Sequence, residues 1–294
     1  MNHMLIRFKK TTPSIPKLLA FGVLWILFLI AGFPGTGSSE TETTAIYFHS
    51  SETSINNFKS LKIKFDRYLS QFGPYEFQPV RERTEFEKQI TSRKDCVMLL
   101  SSWHYRKIHK TGLCEPVLVG FRNGKKTQKR VLVAPEGYDF RKSHGLKLAS
   151  ASSLQHSRSM IKNMPAIHLD ADSLRILTVP KDIDAMMAVS FGMSEAALIT
   201  ENSYNRIKSL NTLLYKKINI IAEGPESHLM VLAAHKACLP QMGKLIQIIQ
   251  KMSENSSGQK QIHMLGLNGF KNVTQEDLLM LEASPALIRQ QVNR

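Results

Sequence analysis

Three times in this chain a short apolar run ends in paired serines and is followed by residues at helical spacing. Ala45–His49 runs into Ser50-Ser51, Cys96–Leu100 into Ser101-Ser102, and Leu146–Ala149 into Ser150, Ser152 and Ser153. After the first, Phe58, Leu61, Phe65, Tyr68 and Leu69 recur at intervals of three and four. After the third, Leu154, Met160 and Ile161 fall on one helical face. A short apolar run that gives way to a period near 3.6 predicts a buried strand feeding a helix. Strands joined by helices must cross over, so the sheets they build are largely parallel. This unit excludes an all-helical bundle and an all-β sandwich.

The rest of the chain repeats the theme. Tyr75–Val80 reads as a strand and Arg81–Thr91 as a helix with Phe86 and Ile90 on one face. Pro116–Phe121 and Arg130–Ala134 read as strands, and Asn123-Gly124 between them is a strong hairpin signal. Leu174–Val179, Glu195–Thr200, Lys217–Ala222 and Leu229–Ala234 are further strand candidates. Helices are expected from Pro180, over Tyr204–Lys216, from Pro240, and near Gln275–Leu281. The 294 residues, 43% of them apolar, suffice for one large or two medium cores.

The N-terminus has its own pattern. Arg7, Lys9, Lys10 and Lys17 precede the apolar run Leu18–Phe33, and a small polar stretch, PGTGSSETETT, follows. That order is the order of a secretory signal. Sixteen apolar residues are short for a membrane span, yet no clean small-x-small cleavage site follows. Both fates stay open: removal on export, or retention of residues 18–33 as an inner-membrane anchor. Either one puts the body outside the cytoplasm, in the periplasm.

Net charge is +15, which suits an anionic ligand, an anionic membrane surface or nucleic acid. The only dense basic run, Lys125, Lys126, Lys129 and Arg130, reads as a solvated turn, so no nucleic-acid partner is expected. Cys96, Cys114 and Cys238 fit no metal spacing and allow at most one disulfide. The histidine pairs 104/109 and 228/235 have no helical ligand spacing, so neither a metal nor another cofactor is expected. No G-x-S-x-G elbow occurs, and Ser152, Ser153 and His156 lack an acid that would complete a triad. No catalytic residues are assigned and no enzyme is expected.

A strand that ends in serines and opens a helix presents hydroxyls and free backbone N–H groups at the positive end of the helix dipole. Such a turn is equally an ordinary N-cap and a ready anion site. In open α/β sheets ligands bind beyond the carboxyl ends of strands.

From Ala45 to about Leu281 the chain resembles the type 2 periplasmic solute-binding proteins, in their phosphonate- and phosphate-type ABC-transporter branch. The likeness is carried by the opening strand with SSETSINNFKSLKIKFDRYLSQFG, by KDCVMLLSS, by LKLASASSLQHSRSMI and by VPKDIDAMMAVSFGMSEAALIT. The Pro-initiated helix before LGLNGF completes it. Glu195 stands where that family usually has Asp. The resemblance implies an α/β fold of two lobes, each a mixed, mostly parallel sheet flanked by helices, behind an N-terminal signal or anchor. Lobe 1 would be residues 44–120 and 224–294, lobe 2 residues 121–223, and residues 1–43 the leader and linker. It further implies a cleft lined by Ser50, Ser51, Ser101, Ser102, Ser152, Ser153 and His156. Glu195, if it faces the cleft, would pair a ligand amino group or repel a second negative charge; the alternative is a strand-edge residue outside the cleft. Trp103 or Tyr105 could wall the cleft, or simply fill the core. The implied function is capture of a small oxyanion such as phosphonate, phosphate or phosphite for an ABC permease. The alternative is a membrane-tethered sensor or interaction module that keeps the fold without transport.

Overall fold

The computed structural model describes residues 43–50, 58–139, 145–164, 167 and 169–282. Strand β1 (Thr44–His49) is buried on both faces, as the unbroken apolar run AIYF requires. Helix α1 (Phe58–Leu69) crosses over with Leu61, Phe65, Tyr68 and Leu69 buried. Next come β2 (Tyr75–Pro79), α2 (Arg83–Ser92), β3 (Cys96–Leu100), α3 (Ser102–His109) and β4 (Cys114–Phe121). β1 pairs with β2 and β3 in parallel, as crossover helices demand.

The chain then leaves this sheet. Asn123 (φ 49°) and Gly124 (φ 78°) form the expected tight turn, with Arg122 and Lys125 exchanging both backbone hydrogen bonds. The turn does not join two strands of one sheet, contrary to the hairpin expectation. β5 (Thr127–Gln128) is a two-residue connector, and β6 (Arg130–Pro135) opens a second sheet. The apolar VLVA of β6 is buried on both faces, with Leu132 and Ala134 in one core cluster of the second sheet and Val131 and Val133 in the other.

The second sheet continues through β7 (Lys147–Ser150), α4 (Leu154–Lys162), β8 (Arg175–Thr178), α5 (Asp182–Ser190), β9 (Ala196–Thr200), α6 (Glu201–Leu210), α7 (Thr212–Lys217) and β10 (Ile218–Glu223). Pro180 lies two residues ahead of α5, whose N-cap is Lys181. The chain returns through β11 (Ser227–His228), which pairs with β5, and enters the first sheet as β12 (Val231–His235). It closes with α8 (Gly243–Lys251), α9 (Ser256–Met264), β13 (Gly269–Asn272) and α10 (Gln275–Glu282).

The two large sheets share one topology. The first has the order β13-β4-β12-β3-β1-β2, the second β10-β6-β9-β7-β8. In each, two βα crossovers give three parallel strands, and an antiparallel strand arriving from the other half lies beside the third. β12 comes into the first sheet from residues 224–230, and β6 into the second from residues 122–129. The exchange ties the halves together by two antiparallel connectors. Each sheet is buried on both faces. Ile46, Phe48, Phe65 and Phe77 lie on one side of the first, and Tyr47, Phe86, Met98 and Tyr105 on the other. Leu148, Met160 and Leu198 lie on one side of the second, and Val131, Met186 and Ile199 on the other.

Helix α10 reaches the connectors. The Asp277 carboxylate of α10 takes hydrogen bonds from Lys126 Nζ (2.5 Å) on one connector, and its other oxygen lies 2.8 Å from His228 Nε2 on the second. The backbone N–H and hydroxyl of Thr274 add two more bonds at 2.8 Å each. Burial alone would raise this acid. The hydrogen bonds from Lys126, His228 and Thr274 outweigh it and hold the carboxyl well below the usual range.

Cys96, Cys114 and Cys238 are all buried, unpaired thiols. Burial pushes Cys96 and Cys114 each up to about 12, so neither is a thiolate at neutral pH.

Candidate functional site

Parallel strands put their carboxyl ends on one edge, and helices that follow them start there. Ser101 caps α3, its hydroxyl accepting from His104 N–H at 3.3 Å. Ser153 caps α4 in the same way, accepting from His156 N–H at 3.3 Å. Ser150 Oγ accepts from Ser152 N–H at 3.1 Å, which bends the chain from strand to helix. Both serine-bearing turns therefore do cap work, and the remaining first-turn N–H groups point outward along the helix axis. Ser102 and Ser152 are fully buried, and the Ser102 hydroxyl has no hydrogen-bond partner among the described residues. Ser50 directly follows β1, and Ser51 lies outside the described residues.

Trp103 connects the two turns. It belongs to α3, beside Ser102, yet its indole packs into the apolar cluster of the other half with Leu132, Leu148, Met160 and Leu198. It stacks on His156 of α4, with ring centroids 5.1 Å apart and planes 12° apart. Lys107 Nζ lies 4.4 Å from the indole centre. Arg83 of α2 also donates across the gap to Gln155 Oε1 of α4. These contacts set Ser101-Ser102 of one half near Ser152-Ser153 and His156 of the other. Tyr105, the alternative wall residue, is an ordinary core aromatic, fully buried and bonded to His109.

Glu195 does not join this group, which corrects the expectation for it. It precedes β9 at the end of the strand opposite Thr200, and its carboxylate accepts the Lys147 backbone N–H at 2.7 Å. Its carboxylate thus ties the start of β9 to the start of β7, at the end of the sheet away from the serine turns.

Buried rings line the first half behind the turn. His49 ends β1 and His104 sits in the first turn of α3, with rings 5.4 Å apart and edge to face. His49 Nδ1 meets Val80 O at 3.1 Å, and His104 Nε2 meets Glu87 at 2.9 Å. Burial pushes His104 down to about 4, against the opposing pull of Glu87, and lowers His49 as well. Both imidazoles are neutral at physiological pH. The turns in front of these rings carry hydroxyls and amide N–H groups, a donor type that suits oxyanions and leaves their charge partly uncompensated, while His49 Nδ1 and His104 Nε2 are already engaged within the protein. No group of three or more His, Cys, Asp or Glu among the described residues is arranged to hold a metal ion.

Two features escaped the sequence reading. Thr200 ends β9 and caps α6, accepting from Ser203 N–H at 3.2 Å while its own N–H and hydroxyl donate to Asp182. Its signature, a strand-final Thr before helical spacing, matches that of the serines and was available. The reach of Trp103 across the gap left no local signal, because an apolar residue in a first turn looks alike whichever core receives it.

Two α/β sheets of like topology, exchanging one strand each and presenting capped helix starts between them, define a two-lobed periplasmic binding protein of type 2. The family model described as the periplasmic substrate-binding protein of phosphonate ABC transporters matches residues 65–278. The chain belongs to that family. Its fold is similar to a binding protein component of an ABC phosphonate transporter from Pseudomonas aeruginosa, at TM-score 0.60 and 15% identity over 86% of this chain and 88% of that one. It is also similar to PhnD1 from Prochlorococcus marinus in complex with methylphosphonate, at TM-score 0.57 and 10% identity over 85% and 98%. XAC2383 from Xanthomonas citri bound to ATP is similar at TM-score 0.62 and 11% identity over 85% and 98%. No curated protein matches the sequence. The family is that of a transporter's substrate-binding component, not an enzyme, and its place is the periplasm.

Proposed function

We propose that this protein captures a small phosphorus oxyanion (phosphonate, phosphate or phosphite) between its two lobes and delivers it to an ABC permease. Lobe 1 is read as residues 44–120 and 224–294, lobe 2 as 121–223, with hinges near Phe121 and Gly224. One observation carries the reading. The capped starts of α3 and α4, one from each half, are held together by the Trp103–His156 stack. Backbone N–H groups and serine hydroxyls from both sides then share one ligand, which bridges the two lobes. Ser50, Ser51, Ser101, Ser102, Ser152, Ser153 and His156 are the proposed contacts. Glu195 is not among them.

Relatives by fold hold methylphosphonate or ATP, and the chemistry common to both is a phosphoryl group. Calorimetric titration of the full chain with phosphate, phosphite, methylphosphonate and ATP tests the class. Binding of at least one, weakened tenfold or more by Ser152→Ala together with Ser153→Ala, is expected. No heat with any of the four defeats the proposal. N-terminal sequencing of the exported protein decides the fate of residues 18–33: a start beyond Phe33 means a free periplasmic protein, an intact apolar run a tethered one.

A further inference from the structure

Trp103 is carried by one half and buried in the other. Only 5% of its surface is exposed, and every other buried member of its cluster lies between Leu132 and Ala222. Aromatic burial of this kind brings a large apolar area together at little side-chain entropy, since the indole has two torsions. His156 covers it in parallel stacking and the Lys107 ammonium sits over the ring. All these partners are protein atoms, so the attraction between the halves does not depend on a ligand. A hinge movement at residues 121–130 and 223–230 that separates the sheets must draw the indole out of that apolar cluster and break the stack.

We propose that Trp103 is an interlobe latch that holds the cleft shut by itself, so that a ligand enters by competing with the seated indole. The proposal rests on the two-lobed capture reading but makes no use of which anion is captured. The latch lies beside the serines proposed to hold that anion. Seating the indole and seating a ligand are therefore coupled through one small region of α3 and α4. Removing the indole shifts the closed-to-open ratio by roughly a hundredfold, the order expected for emptying an aromatic socket.

The chain has two tryptophans, Trp25 and Trp103, so Trp25→Phe leaves Trp103 as the single reporter. In the full-length Trp25→Phe chain without added anion, the latch predicts blue-shifted emission and weak acrylamide quenching. Adding His156→Ala shifts emission to the red and raises quenching several-fold. Small-angle scattering of the full-length Trp103→Ala chain, with far-ultraviolet dichroism verifying that it is folded, should give a larger radius of gyration than the parent. Should Trp103→Ala fail to fold, the His156→Ala pair decides. Solvent-like emission from the parent, or emission and quenching unchanged by His156→Ala, overturns the latch. Identical scattering from parent and folded Trp103→Ala overturns it too. Titration of the same proteins with phosphate and methylphosphonate separates the two ideas. Buried emission without anion binding keeps the latch and defeats the ligand class, while anion binding with solvent-like emission does the reverse.

Discussion

Acidification from about pH 7.5 to about pH 5 should destabilise this protein through His104, and replacing that residue should remove much of the effect. The imidazole is fully buried among Phe86, His49 and Trp103, with Glu87 on Nε2 and the Arg83 charge nearby. Burial takes it from the ordinary 6.5 to about 4. The folded protein therefore binds the proton less well than the unfolded chain. The associated stability is complete above pH 6.5 and is lost as pH falls from there toward about 4. Linkage converts that window into about 2 kcal/mol lost between pH 7.5 and pH 5. His49, lowered for the same reason, adds in the same direction. His104→Phe keeps a ring in the aromatic cluster and cannot titrate, and Glu87, 39% exposed on its side chain, can be resolvated. Urea unfolding at four or five pH values across this range gives the free energy for each protein. The parent should lose stability with a slope up to one proton steeper than His104→Phe. Equal slopes would mean that His104 is as easily protonated folded as unfolded, and the account of the buried rings would be wrong.

Asp277→Ala should cost about 3 kcal/mol in chemical unfolding, because it strands buried His228 together with Lys126 at the connectors. The depressed Asp277 carboxyl contributes stability that is present above its ordinary value near 3.8 and lost as pH falls below it, so the variant should also have a flatter acid limb. Gly258→Ala should lose at least roughly 2 kcal/mol, since a Cβ there would meet Met252 O at 2.1 Å and backbone must shift; an unchanged melting temperature would contradict that contact. Ser153→Ala should lower stability by about 1 kcal/mol through the lost cap on α4, and Ser153→Asp, which restores an acceptor, should recover most of it in thermal unfolding while repelling an anion from the same turn.

Much of this protein is written locally. The apolar run AIYFH, the stripe Leu61, Phe65, Leu69 and the serines after CVMLL specify strand, helix and cap within a few residues of one another. Periodicity and side-chain capping act at that range, so the order of elements and the caps at Ser101 and Ser153 could be read in advance. The Asn123-Gly124 turn was legible as a turn for the same reason, but its consequence was not. Whether the strand after it pairs with β4 or founds a second sheet is decided by distant strands, β9 and β10, that take its two edges some seventy and more residues on. Glu195 shows the same limit. Its sequence neighbourhood matches a family pattern, while its role follows from Lys147 on the adjacent strand. The exchange of β6 and β12 between halves, the Asp277 grip on both connectors and the burial of Trp103 in the opposite core belong to the tertiary structure alone. Each joins residues far apart in the chain. Their energies come from pairing charges and burying apolar surface between elements, and no local sequence pattern encodes which distant element is the partner.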